Sequence, residues 1–224
     1  MVAKILALYR ENGVLLTVKA SWNRLVRRVY NHFLARKLPG ADNLSIKPNA
    51  VLAGLSHISI GKNFIAGDFL KLEAVTMFQG MTFNPRIVIG DNVSVNDFVH
   101  IGATNHVEIG NNVLMASKIF VSDHNHGVYQ GEAQTPPTMP PALRPLTGNS
   151  RVTIGDNVWI GESVSILAGA TIGEGSIIGA NSVVAGPIPP RSIAVGAPAR
   201  VVKTFDPQSG TWLPASGKAA SVKG

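Results

Sequence analysis

The run Ser122-Asp123-His124-Asn125-His126-Gly127 places a carboxylate and two imidazoles within four positions. A neutral imidazole can take a proton from a hydroxyl as a general base, and it can equally ligate a metal. His124 and His126 are two residues apart, so on extended backbone both point to the same side. His100 lies upstream, and the three together would make a three-histidine set of the kind that holds catalytic zinc. Spacing alone leaves both chemistries open, and leaves either histidine available as the base. Asp123 is placed to fix an imidazole tautomer or to meet an acceptor, and Glu132 offers a second carboxylate to acceptor hydroxyls. The chain has no cysteine, which removes thiolate nucleophiles, thiolate metal sites and disulfides.

These residues sit where a repeat breaks. From Arg151 to Val184 an aliphatic residue returns every six positions, as Ile154, Ile160, Ile166, Ile172, Ile178 and Val184. Four residues after each of the first five comes a small or β-branched residue: Val158, Val164, Ala170, Ser176 and Ser182. A period of six scatters side chains around a helix, whereas three short strands closing a triangular coil bring every sixth residue inward. The expected fold is therefore all-β, a parallel β-helix whose coils stack aliphatic ladders. The period also runs through Ile89, Val95 and Ile101, and again through Ile109, Met115 and Val121 after a slip of two residues near Thr104–Val107. Ser122–Asn149 has no period and contains Pro136, Pro137, Pro140, Pro141 and Pro145. A long irregular loop inside a compact solenoid is a functional signal.

The formal charge of +7 belongs to one end. Residues 1–38 carry eight lysines and arginines against Glu11 alone, which leaves the rest of the chain neutral. Trp22, Leu25, Val26, Val29, Tyr30, Phe33 and Leu34 form a helical stripe there, stopped by Pro39-Gly40. Such a helix either packs on the solenoid or meets an anionic membrane surface. Nucleic acid is not an expected partner, since no recognition module accompanies the basic segment. With no signal peptide or membrane span to read, the expected location is the cytoplasm. The expected organisation is a basic helical segment over 1–45, the β-helix over 46–202 with its loop at 122–149, and a loose tail over 203–224.

Repeats of the form Ile-Gly-Asp-Asn-Val-x-Ile-Gly, followed by IPPRSIAVGAPARVV, resemble the left-handed β-helix, hexapeptide-repeat acyltransferases. The resemblance covers roughly residues 58–203. IGNNVLMASKIFVSDHNHGVY with GDNVWIG downstream is similar to the sugar O-acetyltransferases, both the galactoside and maltose type and the lipopolysaccharide, capsule and colanic-acid type. The resemblance implies acetyl-CoA as donor, a sugar hydroxyl as acceptor, no metal, and a homotrimer with CoA between neighbouring β-helices. A seventeen-residue count from Ile109 gives the family's catalytic histidine as His126, with His124 as neighbour or substitute. A thirteen-residue count back gives Asn96 as the substrate-contacting asparagine. Trp159, Gly161, the backbone N–H of Glu162 and Ala180 match the wall for the thioester and pantetheine, and Arg200 matches a contact to the CoA phosphates. The lysine frequent after the family's last regular coil is missing at Gly186, which shifts weight to Arg200 or Lys203. N-acetylation of an amino sugar, a carbonic-anhydrase-like metal hydratase and a non-catalytic solenoid are the alternatives.

Overall fold

The computed structural model describes residues 2–147 and 150–215, with side chains from Gly13 onward. Its body is a three-sided parallel β-helix. The first face stacks Ile58–Ile60, Arg86–Ile89, His106–Ile109, Arg151–Ile154, Thr171–Ile172 and Pro187–Ile188. The second stacks Ile65–Ala66, Ser94–Val95, Leu114–Met115, Trp159–Ile160, Ile177–Ile178 and Ser192–Val195. The third stacks Val51–Ala53, Lys71–Ala74, His100–Ala103, Phe120–Ser122, Ser165–Ile166 and Val183–Val184. All six aliphatics of the regular repeat are buried, and so are the five small or β-branched residues four places on. Together they form the ladder of the core.

The corners explain the polar half of the repeat. Asn157, Ser163, Gly169, Gly175 and Asn181 recur every six positions with positive φ, a region that asparagine and glycine enter at little cost. At one corner these asparagines also join the coils. Asn43 donates to Asn63 at 2.8 Å, Asn63 to Asn92 at 2.9 Å, Asn92 to Asn112 at 3.1 Å and Asn112 to Asn157 at 3.2 Å.

Two excursions leave the solenoid at the corner between the third and first faces. One is a small hairpin, Met77–Phe78 with Met81–Thr82, that the sequence pattern did not reveal. The other is the expected long loop, whose Gly148 and Asn149 lie outside the described residues. The loop closes on itself: His126 bridges Leu146, and the Gly127 N–H donates to the Pro145 carbonyl at 2.7 Å. The Gln79 amide of the hairpin donates to the Ala142 carbonyl of the loop. The two-residue slip is the Thr104–Asn105 corner between His100–Ala103 and His106–Ile109.

Both ends depart from expectation. Residues 203–215 are not a loose tail: Arg200–Asp206 and Thr211–Pro214 form an antiparallel hairpin that extends the second face. Residues 216–224 lie outside the described residues. Coil pairing starts ahead of residue 46, where Asp42 bridges Lys62 and Ser45 bridges Ile65. The N-terminal helix runs Val2–Ala35 with a break at Gly13, whose φ of 74 is non-helical. It docks mainly through Asn31, whose side chain holds both the N–H and the carbonyl of Ile46 at 2.8 Å, and through buried Leu34, with Leu38 buried in the turn that follows. Most of its apolar stripe does not pack on the body; Trp22, Leu25, Val26, Val29 and Phe33 are exposed. No helix among the described residues is long and apolar enough to cross a membrane.

Candidate active site

Sheet alternation puts every second side chain of the third face outward. Along that face the outward residues include Glu73, His100, Gly102, Phe120 and Ser122. The hairpin and the long loop rise beside them and enclose a cleft of about 480 Å³, lined also by Phe78, His124, Asn125, His126, Leu146 and Leu167.

Asp123 is the anchor of this cleft and not a substrate contact, because its side chain is fully buried. Its Oδ1 accepts the Thr104 N–H at 2.9 Å, and its Oδ2 accepts the Asn105 and His106 N–H groups at 2.8 and 2.7 Å. Oδ1 also receives His124 Nδ1 at 2.9 Å. Burial pushes this carboxyl up, but the His124 and backbone hydrogen bonds outweigh it and hold the group below the ordinary carboxylate value. An ionised carboxylate accepts only, so His124 carries its proton on Nδ1 and presents Nε2 as a bare acceptor. Ser122 Oγ, which donates to the His124 carbonyl at 3.0 Å, packs 3.3 Å from the same Nδ1 and steadies the ring.

His126 faces the same cleft from the loop. It is exposed, and its ring meets Phe78 edge-on at 5.3 Å. Its carbonyl accepts the Tyr129 hydroxyl. His100 belongs to a different group. Its Nε2 lies 3.0 Å from Glu73 Oε2, which also takes Lys71 Nζ at 2.8 Å. Burial, then the Lys71 charge, push the His100 imidazole below its ordinary value, so it stays neutral at neutral pH and donates to Glu73. The three histidines therefore do not close into one metal-holding set, and no group of three or more His, Cys, Asp or Glu among the described residues is arranged to hold a metal.

Glu73, Phe78 and Phe120 line the cleft and went unread in the sequence. Lys71-Leu72-Glu73-Ala74 alternates as a strand should, but its register against His100 spans a coil of 29 residues, lengthened by the unseen hairpin. Glu132 does not line the cleft; it is exposed on the loop.

Trp159, Gly161, Glu162 and Ala180, expected on the donor side, and Asn96, expected as a substrate contact, lie elsewhere, at or beside the corner between the second and third faces. Asn96, Ala116, Gly161 and Gly179 follow one another up this corner, each donating its N–H to the carbonyl of the next coil. Asn96 is exposed there and does not line the cleft of its own chain. Gly161 cannot carry a side chain without displacement, because a Cβ would lie 2.7 Å from the Ala180 nitrogen. Trp159 projects outward from the second face, half exposed, between Leu114 and Ile177. Several neighbouring corner amides are capped by a side chain one coil on: Lys62 by Asp91, Asp91 by Asn111, Asn111 by Asp156 and Ser117 by Glu162. Glu162 faces Ala180, which has no acceptor to offer, so its N–H stays open at the surface. Arg200 is exposed near the end of the coil stack, where its Nη1 donates to the Ala199 carbonyl at 3.0 Å.

A stack of hexapeptide coils with an uncapped corner amide at Glu162 and a carboxylate-held imidazole at His124 is a layout compatible with acyl transfer. Residues 151–186 match the family of bacterial transferase hexapeptide (six repeats). Over 156 residues the chain is 42% identical to the Escherichia coli (strain K12) protein named "Putative lipopolysaccharide biosynthesis O-acetyl transferase WbbJ", covering 69% of this chain and 76% of that one. It is 37% identical over 150 residues to the Mycobacterium tuberculosis (strain ATCC 25618 / H37Rv) "Probable acetyltransferase Rv3034c", covering 66% of this chain and 45% of that one. A crystal structure of a variant of AntD, an N-acyltransferase from Bacillus cereus, in complex with dTDP and coenzyme A, shares the fold. Its TM-score is 0.60 at 23% identity, over 77% of this chain and 88% of that one. The chain belongs to the hexapeptide-repeat acetyltransferases, and its fold is their left-handed parallel β-helix. It is an acyltransferase.

Proposed function

We propose that the protein transfers the acetyl group of acetyl-CoA to a hydroxyl of a sugar or glycan in surface-polysaccharide or lipopolysaccharide assembly, with His124 as general base. The observation that carries the assignment is the 2.9 Å contact between His124 Nδ1 and the buried carboxylate of Asp123. It fixes the tautomer and aims Nε2 into the cleft. This choice differs from the seventeen-residue count, which selects His126; the loop histidine instead contacts the acceptor. The acceptor hydroxyl gives its proton to His124 Nε2 as its oxygen bonds to the thioester carbon. The Glu162 N–H of a neighbouring copy receives the oxyanion. Collapse breaks the C–S bond, and the departing thiolate takes the proton back from the imidazolium. Lys71, Glu73 and His100 supply hydrogen-bonding groups for sugar hydroxyls, and Phe78 and Phe120 supply apolar surface for a pyranose ring.

The same reading makes the protein a cytoplasmic homotrimer. Leu114 and Trp159 are neighbouring exposed apolar residues on the second face, with Ile65 further down across Ser94, a patch suited to a flat contact with another copy. That contact would bring the Trp159, Glu162 and Ala180 corner of one copy to the His124 cleft of the next.

The N-terminal helix completes the reading as a membrane-surface contact. Val14, Leu15, Val18, Trp22, Leu25, Val26, Val29 and Phe33 are all exposed, and at 3.6 residues per turn they share about a third of the helix circumference. Lys19 and Arg28 flank that sector, and residues 13–38 hold no aspartate or glutamate. An apolar sector rimmed by cations suits an anionic bilayer surface. The full chain should float with vesicles containing about a third phosphatidylglycerol and not with neutral ones. Trp22→Ser with Phe33→Ser should weaken that binding about tenfold or more; equal flotation of parent and variant would refute the contact.

Acetyl transfer itself is tested by CoA release against a panel of sugars and glycans, with the product's alkali lability separating an ester from an amide. Release with formation of an alkali-labile ester is the expected result. An alkali-stable product would move the reaction to an amine, and no release with any carbohydrate would remove the sugar acceptor.

A further inference from the structure

Around the corner from the active cleft, the first face carries a second cleft, of about 490 Å³, that the acetyl-transfer reading leaves without a role. It is lined by His57, Asn84, Arg86, Asn105, His106 and Arg151 among others, and no carboxylate lines it. Three of these residues form a vertical column, because Arg86 pairs with His106 and His106 with Arg151 across three successive strands. His57 continues the column one coil below, with Nδ1 3.1 Å from the Pro85 carbonyl. Adjacent parallel strands are only about 4.8 Å apart, so cationic or proton-donating side chains are stacked on neighbouring rungs. Like charges directly opposite one another destabilise a sheet.

On the third face and the corner before it two lysines are matched by acids: Lys47 contacts Asp68, and Lys71 contacts Glu73. In the column only His106 has a carboxylate, with Nε2 3.2 Å from Glu108 Oε2. Arg86 and Arg151, like the other arginines among the described residues, are in no salt bridge; what sets them apart is that they are stacked in one cleft. Two planar guanidinia bracketing an imidazole, in a concave site whose nearest carboxylate is the Glu108 group on His106, have the donor geometry that binds phosphate oxygens in pairs. The place of the column matters as much as its charge. His106 is the middle rung, and its N–H is one of those gripped by Asp123, which also holds His124. One corner thus separates the base from the column, and one rigid carboxylate positions both.

We infer that the Arg86–His106–Arg151 column is a diphosphate subsite for the acceptor, which holds a phosphorylated end while the sugar lies across the corner in the His124 cleft. This deepens the proposed acetyl transfer to a glycan and rests on that reading for the acceptor, but not for the binding of the anion. Two sources share the chemistry: a lipid-linked glycan diphosphate and a nucleoside diphosphate sugar.

The test is calorimetric titration of the full chain with inorganic pyrophosphate, which needs no turnover and so fails or succeeds independently of acetyl transfer. Saturable binding is expected. The double variant Arg86→Gln with Arg151→Gln should lose about tenfold or more in affinity, while Arg191→Gln, an exposed arginine at the other end of the solenoid, should bind as the parent does. Circular dichroism of the double variant checks that the fold survives, as exposed guanidinia should allow. Competition by a prenyl diphosphate or by a nucleoside diphosphate then identifies the source, and either result supports the subsite. Pyrophosphate binding that is undiminished in the double variant would overturn it. So would displacement of pyrophosphate by CoA alone, which would assign the column to the donor.

Discussion

His124→Ala lowers the rate of acetyl transfer by about 10²–10⁴-fold, the usual contribution of a general base, while acetyl-CoA still binds. The fold should tolerate the change, because three backbone N–H groups continue to hold Asp123 when the imidazole is gone. His126→Ala should cost about tenfold or less, the scale of one lost hydrogen bond to the acceptor. Steady-state rates, with acetyl-CoA affinity measured separately by titration, distinguish the two. A His126→Ala variant that loses transfer beside an active His124→Ala variant would reverse the assignment. Asp123→Asn is the companion change. Whichever way the amide turns, its NH2 replaces an oxygen that accepts N–H donors and leaves them without an acceptor, so the corner loses stability by about 2–4 kcal/mol. The pH dependence has a definite sign. Asp123 is depressed in the folded chain, so its contribution is present above the ordinary carboxylate value of about 3.9 and is lost as pH falls through the lower folded value.

Ala180→Asp should abolish transfer, by about 10²-fold or more, while leaving the solenoid as stable as before or more so. Asp91, Asp97, Asn111 and Asp156 each turn a side-chain oxygen onto the corner N–H one coil below. An aspartate at the corner above Glu162 would do the same and take the amide that the oxyanion needs. It would also set a negative charge against the acyl-CoA wall. Thermal unfolding and CoA release measured on the same preparation check both halves. Full activity in this variant would mean that the Glu162 N–H does not meet the reacting carbonyl.

The ladder could be read from sequence because a buried position every sixth residue admits few shapes, and because Asn157 and Asn181 hold the positive φ that each corner imposes. The cleft was harder to see. Asp123 reads as a candidate ligand until its burial is known, and burial depends on the Thr104–His106 corner closing over it. Glu73 and His100 are partners only because a hairpin of a few residues returns the chain to register. The N-terminal stripe showed that one face of the helix is apolar but not which way it turns. Asn31, a single polar residue, decides that by clamping Ile46 and leaving Trp22 and Phe33 outside. Residues 200–214 lack a six-residue period, and two antiparallel strands have no need of one.

The way the solenoid is finished at each end limits how it can associate. A parallel β-helix cut short leaves three open sheet edges, each a template for another chain. At the start, the helix and Asn31 cover the first coil. At the finish, the Arg200–Pro214 hairpin turns the second face antiparallel, Pro187, Pro189 and Pro190 remove donors from the edge of the first, and the Gly196 carbonyl takes the Val183 N–H of the third. Stacking of molecules end to end into fibres is thereby blocked. Any contact between copies would then fall on the flanks, one of which carries the exposed Leu114 and Trp159.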